Sequence, residues 1–251
     1  MNYKSFLYLF ALLFLSACIS SGSNSAVKST ARQTSEINTS LGNEYLSRGK
    51  PEIALEKLKK AITADPTYAP AHTVIAVLYE QIGEQRLAGK HYSEAVKLSP
   101  DNGDVNNNYG VFLCKSGKET SAEKYFLKAV DDPFYRTPEV AYANAGSCAL
   151  QSENLDKAER YLRQSLEYDA EFTDALFALA KLSFKQGEDF QARAFLQRFE
   201  SSAAVTAESL SLGSRIETSR QNNQGAEQYR NQLLLQFPNS AQAEKARNKL
   251  N

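Results

Sequence analysis

The sequence contains no tryptophan, only one methionine, two histidines and three cysteines among 251 residues. It has no excess of charge either: 29 basic residues balance 29 acidic ones. That balance argues against a nucleic-acid partner, because a phosphate-binding surface shows as basic excess. His72 and His91 stand at unrelated places with no cysteine or carboxylate at metal-ligand spacing, so no metal is expected. His72 reads as a core residue and His91 as part of a solvated face. No glycine-rich phosphate loop and no G-x-S-x-G elbow is present. The chain therefore offers no catalytic residue, calls for no cofactor, and is not expected to be an enzyme. A redox role is equally unsupported, because the cysteines form no C-x-x-C pair. Long hydrophobic runs are missing too. The longest, residues 6–15, is half the roughly 20 residues needed to span a bilayer.

That short run has a telling context. Lys4 supplies a positive n-region, the run has the length of a signal-peptide core, and it ends in Leu15-Ser16-Ala17-Cys18. This resembles the bacterial lipobox, in which small residues precede a cysteine that is acylated and becomes the new N-terminus. The expectation is a lipoprotein signal peptide over 1–17 and a lipid (palmitate-type) anchor on Cys18. One acyl chain holds only marginally, whereas several hold stably. Ile19 follows Cys18 where an aspartate would favour retention at the inner membrane. The resemblance thus implies the periplasmic face of the outer membrane. Residues 18–35 are rich in Ser, Thr, Asn and Ala and read as a flexible tether.

The rest of the chain is periodic. Small-residue pairs recur at Gly42/Ala54, Ala76/Ala88, Gly110/Ala122, Gly146/Ala158, Ala180/Ala192 and Ser214/Ala226, always twelve apart. Successive pairs start 34, 34, 36, 34 and 34 residues apart. A stride near 34 is that of the tetratricopeptide repeat, two antiparallel helices per unit. Gly49, Gly83, Gly117 and Gly187 recur at the turn, and Pro66, Pro100 and Pro238 close their units. Tyr45, Tyr79, Tyr109 and Phe126 fall at core positions. The expected fold is all-α: a tetratricopeptide superhelical solenoid over 36–251, with repeats at about 35–68, 69–102, 103–136, 139–172, 173–206 and 207–240. Residues 131–138 carry a two-residue insertion between Pro133 and Pro138. The sixth repeat is degenerate, with Gly213-Ser214 at the small pair and Arg230 at an apolar place. Asn239 or Ser240 would start a capping helix over 241–251, with Ala243, Ala246 and Leu250 on one face.

Cys114 and Cys148 lie late in the first helices of adjacent repeats, which pack side by side. Behind a signal peptide disulfides persist. Either the two form a bridge or they remain buried free thiols; Cα atoms more than about 7 Å apart would exclude the bridge. A concave surface lined by first helices would hold a partner. Its expected lining is Asn43, Leu46, Thr73, Val77, Glu80, Asn107, Val111, Ala143, Ser147 and Leu150. This mainly apolar and uncharged set predicts an apolar segment of a protein partner. A monomer is expected.

The LSAC lipobox, the Ser-rich stretch, the repeats and the segment 107–199 together resemble a known family. That segment includes NNNYGVFLCKSGKETSAEKYFLKAVDDPFY, YANAGSCAL and NLDKAERYLRQSLEYD. The turn DDPFYRTPEV between LCKSG and GSCAL is the most specific element. The family is the type IV pilus biogenesis/stability lipoproteins PilF and PilW. Membership implies a pilotin: an outer-membrane lipoprotein that binds secretin subunits and promotes their insertion and multimerisation, and so supports twitching motility. The alternative within the same fold is an envelope scaffold recruiting peptidoglycan-modifying or outer-membrane assembly proteins.

Overall fold

The computed structural model describes residues 20–248; the expected signal peptide and Cys18 lie outside them. Thirteen helices and no strand occur among the described residues. The described residues divide into two compact units, one up to Pro100 and one from Asp101.

The first unit holds α1 (Ser20–Ser47), α2 (Pro51–Ala64), α3 (Ala69–Gln81) and α4 (Gln85–Leu98). Prolines open α2 and α3, where a missing N–H costs nothing. In α2 the residues Ala54, Leu58 and Ala61 share one face and are fully buried. Ala54 and Leu58 meet Leu46 of α1 and Ile75 and Leu78 of α3 in one core. The second unit holds α5 (Gly103–Lys115), α6 (Glu119–Val130), α7 (Pro138–Gln151), α8 (Leu155–Tyr168), α9 (Thr173–Lys185), α10 (Asp189–Ser202), α11 (Ala207–Ser219), α12 (Asn223–Gln236) and α13 (Ala241–Asn248). Leu162, Leu176, Leu179, Leu182, Leu196 and Ile216 form its dry centre.

In three hairpins a glycine on the first helix faces a large residue on the second. A Cβ added at Gly42, Gly110 or Gly146 would come within 2.6–2.7 Å of Leu58, Phe126 or Leu162 respectively. Hydrogen cannot be replaced there without moving a buried side chain. In the degenerate sixth repeat Gly213 meets Tyr229 in the same way, and the Ser214 hydroxyl donates to the Ala226 carbonyl at 3.0 Å. Arg230 sits beside Glu227. Buried Glu217 accepts hydrogen bonds from Arg193 Nε, Arg220 and Asn222, tying α10, α11 and the following turn together.

The hairpin turns explain the recurring glycine and its two exceptions. After α3 the Gly83 N–H bonds the Glu80 carbonyl and the Glu84 N–H bonds the Tyr79 carbonyl, with Gly83 at φ +81°. The same pair of bonds follows α7, but the left-handed residue there is Glu153, at φ 57°. Gln221, at φ 61°, is its counterpart after α11. A β-carbon is strained in that conformation. Glu153→Gly is therefore expected to raise stability by about 0.5–1 kcal/mol, the gain being trimmed by glycine's freedom in the unfolded chain. A higher urea midpoint checks this; an unchanged or lower one contradicts it.

Three features depart from or add to the sequence reading. Residues 20–35, expected to form a flexible tether, are the first half of α1. Arg32 pairs with Asp65 at 2.8 Å and lies over the Tyr68 ring, while Ser35 and Thr39 are buried. The Arg32 contacts to the α2–α3 turn and the burial of Ser35 and Thr39 hold as helix a composition that would otherwise stay open. The insertion at 131–138 is a wedge: Tyr135 is buried against Gly103, and the Asp132 carboxylate accepts the Gly103 N–H at 2.8 Å at the start of α5. At the far end Ser240 caps α13, accepting the Ala243 N–H at 3.1 Å, and Ala243 closes over Leu210 and Leu233. Leu250 lies outside the described residues. Among those residues no helix is long and apolar enough to cross a membrane.

Candidate functional site

The first helices of the hairpins supply the candidate surface. In the second unit α5 packs on α7, α7 on α9 and α9 on α11; in the first unit α1 packs on α3. The ten expected lining residues divide three ways. Asn43 and Ser147 are exposed, and Val77, Glu80, Asn107, Val111 and Leu150 are half-buried. Leu46, Thr73 and Ala143 are buried and are not groove residues. Leu46 is part of the first unit's core and Ala143 of the second's, while the Thr73 hydroxyl turns back to the Ala69 carbonyl. Helical spacing gives the direction in which a side chain leaves its own helix. It does not give how far the neighbouring helix overlaps it, and that overlap removes these three.

Two of the remaining residues already have polar partners. Glu80 accepts the Tyr92 hydroxyl at 3.1 Å, holding α3 to α4. Asn107 accepts from the Asn144 amide at 3.0 Å, bridging α5 and α7 across the surface. The surface also continues beyond Leu150, where the expected lining stopped. Phe177, Lys181 and Phe184 on α9 stand one stride of 34 after Ala143, Ser147 and Leu150, and Arg215 stands one stride after Lys181. The Lys181 ammonium lies 4.7 Å from the Phe177 ring centre and the Arg215 guanidinium 4.7 Å from that of Phe184. The repeat period was the signal that could have found them.

Cys114 of α5 and Cys148 of α7 are joined by a disulfide, with Cα atoms 5.8 Å apart. The bond closes 34 residues and pins the two helices that flank the wedge of Tyr135. Among the described residues no group of three or more His, Cys, Asp or Glu is placed to hold a metal.

The two histidines, unrelated in sequence, meet in the α3–α4 hairpin. Their Nδ1 atoms are 3.1 Å apart and His72 Nε2 is 3.1 Å from the Pro66 carbonyl. The carbonyl can only accept, so His72 carries its proton on Nε2 and takes the His91 Nδ1–H on its other nitrogen. His91 is half-buried, not on a solvated face, because this bond and the stacked Tyr79 ring hold it inward. Burial, then the positive potentials of His72 and Lys90, push its pKa down to about 4, with Glu94 opposing. A folded-state value below the unfolded 6.5 means that stability is full above pH 6.5 and is lost as pH falls toward 4. His91→Phe should flatten the difference in melting temperature between pH 7 and pH 5 relative to the parent. An equal slope in both proteins would contradict the assignment.

Profiles of the tetratricopeptide repeat match residues 39–103 and 149–216. The chain is 29% identical to the type IV pilus assembly protein PilF of Pseudomonas aeruginosa over 242 residues, 96% of each chain. A crystal structure of PilW, described as a widely conserved type IV pilus biogenesis factor, superposes with a TM-score of 0.80 at 31% identity, covering 85% of this chain and 98% of that one. A structure of Pseudomonas aeruginosa PilF superposes with a TM-score of 0.78 at 29% identity, covering 88% and 99%. Among solved structures of lower identity the fold recurs, as in a Parabacteroides merdae tetratricopeptide protein at 18% identity and TM-score 0.63. The paired helices, the 34-residue stride and these likenesses over nearly the whole length place the chain in the PilF/PilW family of tetratricopeptide-repeat type IV pilus biogenesis proteins.

Proposed function

We propose that the protein is a pilotin: a lipoprotein of the outer membrane, facing the periplasm, that binds secretin subunits and promotes their insertion and multimerisation for type IV pilus assembly. The observation that carries the reading is family likeness to PilF across 96% of both chains, joined to the lipobox-like Leu15-Ser16-Ala17-Cys18. The mechanism is that of a tethered adaptor, without catalysis. Acyl chains on Cys18 confine the helical repeats to the membrane surface, which raises their effective concentration there. The first-helix surfaces hold a segment of the partner until its oligomerisation buries that segment elsewhere. Secretin multimers are assayed by blotting membranes from a deletion strain and a Cys18→Ser strain. The expected result is loss of multimers in the deletion strain and their mislocalisation or loss with Cys18→Ser. Normal outer-membrane multimers in the deletion strain would overturn the proposal.

A further inference from the structure

The second unit's first-helix surface changes character along the chain. On α5 and α7 it is uncharged, polar and apolar in turn: Asn107, Val111, Ser147 and Leu150. On α9 and α11 it becomes aromatic and cationic. Phe177 and Phe184 are half-buried rings three and four residues from Lys181, so all three share one face of α9. Each ring carries a cation 4.7 Å from its centre, Lys181 on its own helix and Arg215 from the neighbouring one. Both cations remain open to solvent. Lys181 shares one exposed carboxylate, Glu208, at 3.3 Å, a pair whose side chains are 46% and 57% exposed and which is worth little. Arg215 has its ring contact and is exposed. Of the other acidic side chains of these two helices, Asp174 is in the first turn of α9 and Glu217 is buried under Arg193 and Arg220, so Glu208 is the one carboxylate they place on the strip. A guanidinium stacked on a ring keeps its in-plane N–H edge free, and that edge matches a carboxylate.

We infer that this strip is the docking site for an extended acidic segment of a protein partner. Carboxylate side chains of that segment bind Arg215 and Lys181, while its apolar side chains rest on Phe177, Phe184 and Leu150. The charge complementarity is local, because the chain as a whole is neutral. The inference rests on the adaptor reading of the protein and names the chemistry of the segment held. It also revises the wholly apolar segment expected from the lining of the earlier repeats.

Fluorescence anisotropy of the full-length protein in detergent micelles tests it, with short fluorescein-labelled peptides of alternating leucine and glutamate, leucine and glutamine, or leucine and lysine. The glutamate peptide should bind tightest and the lysine peptide weakest. Arg215→Glu and Lys181→Glu should each weaken the glutamate peptide on the order of tenfold, as loss of a charge-assisted bond does. Arg136→Glu, an exposed charge on the inserted turn, controls for net charge and should leave affinity unchanged. Arg215→Gln serves where the reversed charge lowers the melting temperature. Equal affinity for the three peptides, or an Arg215→Glu effect no larger than that of Arg136→Glu, would overturn the inference. So would binding to phosphatidylglycerol vesicles that depends on Arg215 without any preference among peptides. Pull-down from solubilised membranes separates the two readings. A parent protein that retrieves no pilus-assembly component contradicts the adaptor role, whereas retrieval insensitive to Arg215→Glu contradicts this site alone.

Discussion

Phe126→Ala is expected to destabilise the second unit by about 3–5 kcal/mol, the range for removing a fully packed aromatic side chain. Phe126 is 2% exposed and fills the space between α5 and α6 opposite Gly110. A Cβ at Gly110 would stand 2.7 Å from the ring. Gly110→Ala alone should therefore destabilise, although alanine is the better helix former by about 1 kcal/mol. In the Phe126→Ala background the obstacle is gone. There Gly110→Ala should stabilise by roughly that 1 kcal/mol and refill part of the cavity. Urea unfolding of the two single variants and the double variant gives the cycle. Gly110→Ala having the same sign in both backgrounds would show that the small residue is not there to admit the ring.

The second large effect concerns the bridge between α5 and α7. Cys148→Ser opens a disulfide that closes 34 residues. The chain-entropy relation gives a cost of about 4 kcal/mol for a loop of that size. Cys148 is 3% exposed, so the new hydroxyl is also left in an apolar setting. For a unit of this size the melting temperature should fall by roughly 8–15 °C, and reduction of the parent protein with dithiothreitol should reproduce most of the fall. A shift of under about 2 °C in both experiments would mean that packing of the Tyr135 wedge alone holds the two repeats together.

The helix pairs were legible because apolar and small residues recur with one stride, and the helical hairpin is a local structure whose partner is always the next segment. The same stride pointed to one face of each first helix, where Asn43, Val77, Asn107, Val111, Ser147 and Leu150 retain some exposure. It misjudged Leu46, Thr73 and Ala143, whose burial depends on the neighbouring helix. The strip on α9 and α11 was missed for a different reason. Its residues lay on the same stride, but a lysine three residues before a phenylalanine does not announce that an arginine 31 residues beyond Phe184 will lie over that ring.

By itself the sequence determined the all-helical repeat, because that is written in spacing along one chain, and the residues of 107–199 carried the resemblance to the PilF/PilW family. Only the tertiary structure decided which lining residues are covered, that His72 and His91 share a proton, that Tyr135 wedges against α5, and that α1 reaches back to Ser20. Those outcomes depend on distances between separate helices, set by packing to near-crystalline density, and no period along the chain encodes them.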